Sequence, residues 1–388
     1  MGEGRTICVI TGSRAEYGLL RPVMHAIQAS TTLRLQVAVT GMHLSARFGD
    51  TWKQIEEDGF TIHARIDSLA EEDDSLGICR SVSSGVTATA EALERLAPDM
   101  VLVLGDRYEI LAVVQASLFC RIPVAHLCGG DVTEGAYDDA IRHCITKMSH
   151  IHFPTHEAAA RRIRQLGEAA QRIHTVGHTG LDTIRNLQAS SRAQLSTSLG
   201  FQFRQRNLLI TYHPETLDDV RPSVRFQELL TALETLDSDL GLLFTMPNAD
   251  EGGQELFSMV QEYVDSREHA AAWVSLGQER YLSTMALCDA VVGNSSSGLY
   301  EAPSMNTPTV NIGGRQDGRP RASSVIDCTP QSEAIADAIN VALSMDCSDT
   351  ANPFGDGHAA ARIVGVLESV ADPASLLRKR FFDLESDS

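Results

Sequence analysis

The densest group of reactive side chains lies in a polar segment that follows a short apolar run and extends from His126 to His143. Carboxylates next to an arginine and a histidine suit proton transfer at a carbon atom, because one group can remove a proton while another returns it. The catalytic candidates of this segment are Asp131, Asp138, Asp139 and Arg142. The alternative is a capped helix with surface ion pairs.

The spacing within this segment also predicts its local geometry. Arg142 and His143 follow Asp138 by four and five residues, so on a helix the three side chains share part of one face. Gly129 and Gly130 precede them, and glycines let the backbone approach a ligand closely.

Two shorter motifs of the first half add an acid and two arginines. Asp106 and Arg107 follow an apolar run, and an acid at that place can act as a general acid or base if burial raises its pKa. Arg14 and Ala15 belong to a turn of small residues before a helical stretch, where an arginine and a helix N-terminus can bind phosphate. The alternatives are an N-cap aspartate and a solvated arginine. The turn is neither a dinucleotide fingerprint nor a P-loop.

The second half carries a loop suited to a diphosphate. Small residues, among them Ser295 and Ser296, follow an apolar run and open a short helical stretch, and backbone N–H groups in such a loop bind anions. Glu301 follows on the helical stretch, where it can accept hydrogen bonds from both hydroxyls of a ribose, and Arg315 adds a cation. An ordinary serine- and glycine-rich turn is the alternative.

Apolar runs that alternate with helical stretches must position these motifs. The predicted strands of the first half are Ile7–Ile10, Leu35–Val39, Met100–Leu104, Pro123–His126, Ile151–Phe153 and Ile173–Val176. Those of the second half are Asn207–Tyr212, Gly241–Thr245, Ala271–Val274, Ala290–Val292 and Thr309–Ile312. The alternation predicts a parallel sheet covered by helices in each half, and ligands of such sheets bind at the carboxyl ends of the strands. The expected fold is α/β, with two Rossmann-like domains facing a cleft.

Composition excludes several classes of partner. The chain has 388 residues, with 51 acids against 32 bases and a net charge of −19, which argues against nucleic-acid and anionic-membrane surfaces. The eight cysteines form no C-x-x-C pair, and this favours reduced thiols over disulfides or zinc. With neither a secretory signal nor a membrane span in the sequence, a cytoplasmic protein is expected.

Three closely spaced histidines, His150, His152 and His156, suggest a metal cluster at first sight. Two of them alternate along a predicted strand, and no cysteine or carboxylate spacing supports a zinc site. We therefore interpret them as structural and expect no metal.

Together these motifs resemble the hydrolysing UDP-N-acetylglucosamine 2-epimerases, the NeuC-like enzymes that begin sialic acid synthesis. The matching segments are Thr11–Gly18, Gly105–Arg107, Gly129–Gly135, Asp138–His143, Tyr212–Pro214, Gly293–Gly298 with Glu301, and Arg315. They occur in the expected order over about residues 5 to 320. The Asn294–Gly298 loop and the Arg142–Lys147 stretch are specific in combination.

The resemblance implies a GT-B-like fold and a nucleotide sugar as ligand, with no cofactor. The domains would cover 1–178 and 179–365, and a C-terminal helix at 366–388 would rejoin the first domain. The acid/base set would comprise Asp106, Asp138 and Asp139, with Arg107 and Arg142 in support. Nucleotide contacts would come from Arg14, His213, Asn248, Leu276, Ser295, Ser296, Glu301 and Arg315. A homodimer or homotetramer is common in this family and is expected here.

One position departs from the family pattern. Several relatives carry a glutamate, and others a histidine, where this chain has Cys128. A thiol replaces a carboxylate poorly, so either Asp131, His126 or Glu134 takes that role or the sugar differs. The expected reaction releases UDP and N-acetylmannosamine from UDP-N-acetylglucosamine. The open alternatives are the same reaction on a UDP- or GDP-linked 2,4-diacetamido-2,4,6-trideoxyhexose, a precursor of legionaminic acid, and a GT-B glycosyltransferase.

Overall fold

The chain folds into two compact units, each built around its own parallel sheet. The computed structural model describes residues 4–72, 74–133, 137–214, 220–236, 239–247 and 253–383. The first unit comprises Met1–Asp182 and Phe354–Ser388, and the second comprises Thr183–Pro353. No helix among the described residues is long and apolar enough to span a bilayer.

The first unit alternates strands and helices along the chain. Its strands are β1 Arg5–Thr11, β2 Leu33–Thr40, β3 Ala64–Ile66, β4 Met100–Leu104, β5 Val124–Leu127 and β6 Ile151–Phe153. Its helices are α1 Arg14–Ala29, α2 Trp52–Glu57, α3 Ser75–Leu96, α4 Tyr108–Phe119, α5 Asp138–Met148 and α6 Glu157–Gln165, followed by α7 Gly180–Arg185, which runs across the border to the second unit.

The second unit repeats this alternation. Its strands are β7 Arg206–Thr211, β8 Leu240–Thr245, β9 Ala270–Trp273, β10 Ala290–Gly293, β11 Thr309–Ile312 and β12 Val325–Cys328. Its helices are α8 Arg192–Leu199, α9 Pro222–Thr235, α10 Gly253–Asp265, α11 Gln278–Met285, α12 Ser297–Tyr300 and α13 Ser332–Ala342. Helix α14, Ala359–Ser369, returns to the first unit.

The two sheets have the same strand order when they are read from opposite ends. The first is β3-β2-β1-β4-β5-β6 and the second is β12-β11-β10-β7-β8-β9, and neighbouring strands are parallel in both. In both, the chain first adds strands on one side and then on the other. The reversal lies between β1 and β4 in one sheet and between β7 and β10 in the other, where such folds bind ligands. The expected α/β class with two Rossmann-like sheets is confirmed.

Apolar strands form because both faces of each sheet are covered. Ile7 and Val9 of β1 pack into one core cluster, whereas Cys8 and Ile10 pack into the cluster on the opposite face. Successive strand side chains point to opposite faces, so a strand buried on both sides must be apolar throughout. The continuous apolar runs of the sequence therefore marked the central strands correctly.

The structure adds two strands that were not predicted and corrects two predicted elements. Strands β3 and β12 were missed because each is short, lies at a sheet edge and carries a charged residue. The predicted strand Ile173–Val176 is reduced to a single bridge between Ile173 and His152. The helix predicted at 366–388 is wrong, because α14 ends at Ser369 and residues 378–383 are not helical.

Hydrogen bonds join the two chain segments of the first unit that precede and follow the second unit. The Phe354 carbonyl accepts a hydrogen bond from the His178 N–H at 2.7 Å. The buried carboxylate of Asp182 accepts from the backbone N–H groups of Ala359 and Ala360 at 3.0 and 2.9 Å. Asp182 thus binds the first N–H groups of α14, which have no acceptor within the helix. These contacts explain why the border lies at Asp182 and Phe354 rather than at the predicted residues 178 and 365.

We predict that Asp182→Ala lowers the free energy of unfolding of the first unit by about 1–2 kcal/mol, since two buried N–H groups lose their acceptor. Urea titration followed by circular dichroism measures the change. The matched control is Asp372→Ala, which removes an exposed cap of the Ala374 N–H and should cost less than half as much. Equal unfolding midpoints for wild type and Asp182→Ala would contradict this assignment.

Candidate active site

Three loops of the first unit meet at the carboxyl ends of β1, β4 and β5, at the reversal of strand order. They border a cavity of about 490 Å³. We call it the acid cavity, and its lining residues are Ser13, Arg14, Ala15, Glu16, Leu19, Met42, Phe48, Thr51, Leu104, Gly105, Asp106, Arg107 and Asp138. Five predicted site residues, Arg14, Ala15, Asp106, Arg107 and Asp138, are thereby brought together.

Arg142 connects the loops that border this cavity. Its guanidinium is buried and forms an ion pair with the Asp106 carboxylate. It also donates to the Asp131 carbonyl and to the Thr133 hydroxyl, both at 3.0 Å. One side chain of α5 therefore fixes the loop after β4 and the loop after β5, and the charge of Asp106 is balanced at the edge of the cavity.

Asp138 and Asp139 begin α5 but have different surroundings. Asp138 lines the acid cavity, and burial together with the nearby charge of Asp106 raises its pKa. Asp139 instead accepts from the Thr133 N–H at 2.7 Å and lies 3.4 Å from the His143 ring. Asp139 rather than Asp138 is therefore the acid that contacts His143.

Asp131 is also held by protein groups. Its carboxylate lies 3.0 Å from His156 Nε2 and 3.4 Å from the Thr155 hydroxyl. His156 in turn caps α6 by accepting from the Ala159 N–H. Asp131 is absent from the lining of the acid cavity, so the structure gives it a positioning contact rather than a place beside Asp106 and Asp138.

Two buried glutamates next to this cavity were not predicted from the sequence. Glu109 accepts from Arg107 Nε at 2.6 Å, and Glu16 accepts from the Gly12 N–H at 2.7 Å. Burial, and secondarily the charge of Glu109, raises the pKa of Glu16 to about 8. Ser13 and Glu16 form the S-x-x-E pattern that often caps helices, and this pattern could have identified Glu16 from the sequence. Here the carboxylate binds Gly12 instead of the cap residue.

The glycine pair before α5 is required for packing. A Cβ at Gly129 would lie 2.8 Å from the Thr146 hydroxyl, and a Cβ at Gly130 would lie 2.4 Å from the Ala159 carbonyl. Close approach of this backbone to a ligand stays a prediction. His126, just before them, is fully buried between the Gly105 carbonyl and the Thr146 hydroxyl, and burial lowers its pKa to about 3, so the ring is neutral.

The three clustered histidines have separate structural roles. His150 Nδ1 accepts from the Val124 N–H, His152 contacts Glu168 at 3.1 Å, and His156 contacts Asp131. Over the part of the chain that the structure describes, no three His, Cys, Asp or Glu side chains are placed to hold a metal ion.

In the second unit, the serine loop follows β10 as the sequence predicts. Gly293 has φ of +135°, and a Cβ there would lie 1.9 Å from the Thr211 carbonyl, so glycine is required for β10 to pass β7. The Asn294 side chain binds both backbone groups of His213, at 2.7 and 2.9 Å. These contacts join the loops after β7 and β10 at the second reversal of strand order.

The other nucleotide candidates of the second unit differ in burial and in hydrogen bonding. Ser295 and Ser296 are half-buried, and Arg315 donates to the Asn294 carbonyl at 3.1 Å. Burial raises the pKa of Glu301 to about 8, and its Oε2 has no hydrogen-bond partner among the described residues. Burial likewise lowers the pKa of His213 to about 4.

The nucleotide candidates also include Leu276 and Asn248. Leu276 packs in the core with 2% of its surface exposed, and its carbonyl already accepts from Arg280 Nε at 2.8 Å, so a base contact would use other backbone groups nearby. Asn248 lies outside the described residues.

We predict that Glu16→Gln makes stability less dependent on pH. The folded-state pKa of about 8 exceeds the ordinary value of 4.5, so the folded protein retains the proton more strongly. Stability from this proton is complete below about pH 4.5 and is lost as the pH rises to about 8. The melting temperature of Glu16→Gln minus that of wild type should thus rise by on the order of a few degrees between pH 5 and 8.

Differential scanning fluorimetry at several pH values tests this expectation. The exposed Glu91→Gln serves as the matched control, and its difference from wild type should stay constant with pH. A constant difference for Glu16→Gln would show that the Glu16 proton makes no such contribution.

Comparison with known proteins agrees with this architecture. A family model described as UDP-N-acetylglucosamine 2-epimerase matches residues 25–368. GDP/UDP-N,N'-diacetylbacillosamine 2-epimerase (hydrolyzing) of Campylobacter jejuni is 43% identical over 83% of this chain and 84% of its own length. UDP-N,N'-diacetylbacillosamine 2-epimerase (hydrolyzing) of Legionella pneumophila is 34% identical over 97% and 98%.

Solved structures share the fold at lower identity. A crystal structure described as a UDP-N-acetylglucosamine 2-epimerase from Listeria monocytogenes superposes with a TM-score of 0.79 at 19% identity, covering 99% of this chain and 100% of that one. The UDP-GlcNAc 2-epimerase of Neisseria meningitidis, solved with bound UDP-GlcNAc, gives 0.75 at 18% identity and covers 93% and 99%. The family resemblance drawn from the motifs is confirmed, and the chain belongs to the UDP-N-acetylglucosamine 2-epimerase family.

Proposed function

We propose that this chain is a hydrolysing 2-epimerase of a UDP- or GDP-linked 2,4-diacetamido-2,4,6-trideoxyhexose. It would release the nucleoside diphosphate and the free 2-epimeric sugar. The observation that carries the proposal is the placement of Asp106, Arg107 and Asp138 around one cavity. The substrate is the alternative of the sequence analysis, and it replaces UDP-N-acetylglucosamine as the first choice.

The proposed chemistry consists of an elimination and a hydration. One carboxylate takes the proton from C2 while the C1–O bond breaks and the nucleoside diphosphate leaves with that electron pair. The product is the corresponding 2,4-diacetamido glycal, with a C1–C2 double bond, held in the site. The hydroxyl of water then adds to C1, and C2 receives a proton from the opposite face. Both steps balance without an oxidant or reductant.

The acid cavity offers groups for both proton transfers. Asp106, which lines the cavity and forms an ion pair with Arg142, suits the base. Asp138, whose pKa is raised by burial and by Asp106, suits the acid that returns a proton. Two carboxyl groups with different environments are the arrangement that such a sequence of transfers requires.

The second unit supplies features suited to a nucleoside diphosphate. The serine loop after β10 and Arg315 would bind the diphosphate, since backbone N–H groups and guanidinium groups both favour anions. The unpaired oxygen of Glu301 would accept from the ribose hydroxyls. His213 and Asn248 complete this proposed contact set.

The relatives favour the diacetamido sugar. The Campylobacter and Legionella proteins are both described as 2-epimerases of nucleotide-linked N,N'-diacetylbacillosamine. Both are more similar to this chain than the UDP-N-acetylglucosamine 2-epimerase of Neisseria meningitidis serogroup B, which is 29% identical when the sequences are aligned over 98% of this chain. Desolvation raises the pKa of the half-buried Cys128 thiol, so the thiol stays neutral and would not act as a base.

We predict that the purified protein turns over the diacetamido substrate faster than UDP-N-acetylglucosamine. Proton and phosphorus NMR should show a free 2-epimeric sugar and a nucleoside diphosphate, with one deuterium at C2 when the reaction runs in D₂O. Asp106→Asn should lower kcat by about 10²–10⁴-fold.

The exposed Asp239→Asn is the control for that substitution, and its kcat should match wild type. An epimer still linked to the nucleotide would point to the non-hydrolysing reaction. Transfer of the sugar to an added acceptor, without free sugar, would point to a glycosyltransferase. Either result contradicts the proposal.

A further inference from the structure

A second cavity of the first unit adjoins the acid cavity and has a different character. Its volume is about 460 Å³. Its apolar lining includes Leu44, Leu69 and Ile78. Met42, Phe48 and Arg107 line both cavities and so form their common wall. A molecule held beside Asp106 is therefore within reach of this second cavity.

Two residues of the wall, Met42 and Phe48, belong to the segment 41–48. This segment leaves the carboxyl end of β2 as two short 3₁₀ turns. Within it, the His43 ring is fully buried, with Nε2 3.1 Å from the Thr11 hydroxyl and Nδ1 2.8 Å from the Thr51 hydroxyl. Burial lowers the pKa of His43 to about 4, so this neutral ring ties the wall to β1. Met42 and Phe48 can therefore act as a fixed surface.

The charges of the second cavity do not favour a diphosphate. Three carboxylates, from Asp67, Glu71 and Glu72, line it together with two guanidinium groups, from Arg47 and Arg107. Glu72 pairs with Arg80 and Arg107 pairs with Glu109, so the lining carries no surplus of positive charge that would attract a diphosphate. We therefore expect an uncharged part of the nucleotide sugar to enter this cavity.

The shape of the proposed substrate matches these requirements. Compared with N-acetylglucosamine, the trideoxyhexose exchanges the C4 hydroxyl for an acetamido group and the C6 hydroxymethyl for a methyl. Both changes add apolar surface without charge. A thioether, an aromatic ring and aliphatic side chains favour methyl groups.

We propose that Met42 and Phe48 form a specificity subsite for the C4 acetamido group and the C6 methyl of the sugar. This inference rests on the proposed function and adds the residues that select its substrate. It also gives the ring an orientation, with C1 and C2 at the acids and C4 to C6 toward Met42 and Phe48. The two residues act by contact with the substrate and take no part in proton transfer.

The test compares two substrates, the nucleotide-linked 2,4-diacetamido-2,4,6-trideoxyhexose and UDP-N-acetylglucosamine. Phe48→Ala should lower the kcat/KM of the diacetamido substrate, relative to that of UDP-N-acetylglucosamine, by about tenfold or more, the scale of a lost methyl-sized contact. Most of that change should appear as a higher KM for the diacetamido substrate. Where UDP-N-acetylglucosamine is not turned over, its inhibition constant supplies the comparison.

A second variant and a control keep the test decisive. Met42→Gln preserves side-chain length but adds polar atoms, so it should shift the ratio in the same direction. Phe48 is 43% exposed, so its replacement should leave the melting temperature nearly unchanged. The control is Phe119→Ala at the end of α4, which removes a 73% exposed ring away from both cavities and should leave the ratio unaltered.

The outcomes separate this inference from the function on which it rests. If wild type hydrolyses the diacetamido substrate but Phe48→Ala and Met42→Gln slow both substrates equally, the subsite assignment is overturned and the function stands. If wild type hydrolyses neither substrate, both proposals fall. A selective loss with the diacetamido sugar, absent in Phe119→Ala, supports the subsite.

Discussion

The candidate site depends on one buried guanidinium. Arg142 lies on α5, yet its contacts are with the loops after β4 and β5, through Asp106, the Asp131 carbonyl and Thr133. Removing an arginine from water is costly unless every donor finds an acceptor. The two loops must therefore adopt the conformations that supply those acceptors. Asp106 is thereby held at the edge of the acid cavity before any substrate arrives, which is the preorganisation that catalysis requires.

The same cavity shows how several acids can be placed close together. Asp106 is compensated by Arg142 and Glu109 by Arg107, so these two keep a charge partner. Glu16 and Asp138 have raised pKa values, because burial and neighbouring acids disfavour their charged forms. The site thus combines paired carboxylates with acids that hold protons more tightly. That division follows from local contacts and could not be assigned from the number of acids alone.

Much of the fold was predictable, because strands buried on both faces must be apolar. The central strands and the loops after them followed from this constraint, and with them Asp106, Asp138 and the serine loop. Edge strands β3 and β12 escaped notice since pairing on one side tolerates Arg65 and Asp327. The packing role of Gly129 and Gly130 was not foreseen because a glycine needed for packing looks the same in sequence as one that approaches a ligand. Glu16 and Glu109 were missed because charged residues near helix starts are usually solvated.

The first unit is discontinuous in the chain, since α14 joins it only after the whole second unit has been passed. During synthesis, the ribosome delivers this helix last. Until then, the apolar surface of α1 that α14 covers lacks its partner, and the Asp182 carboxylate lacks the two N–H groups that it binds. The second unit can complete its own core earlier because its residues are contiguous. The nascent polypeptide should therefore complete the core of the second unit before that of the first.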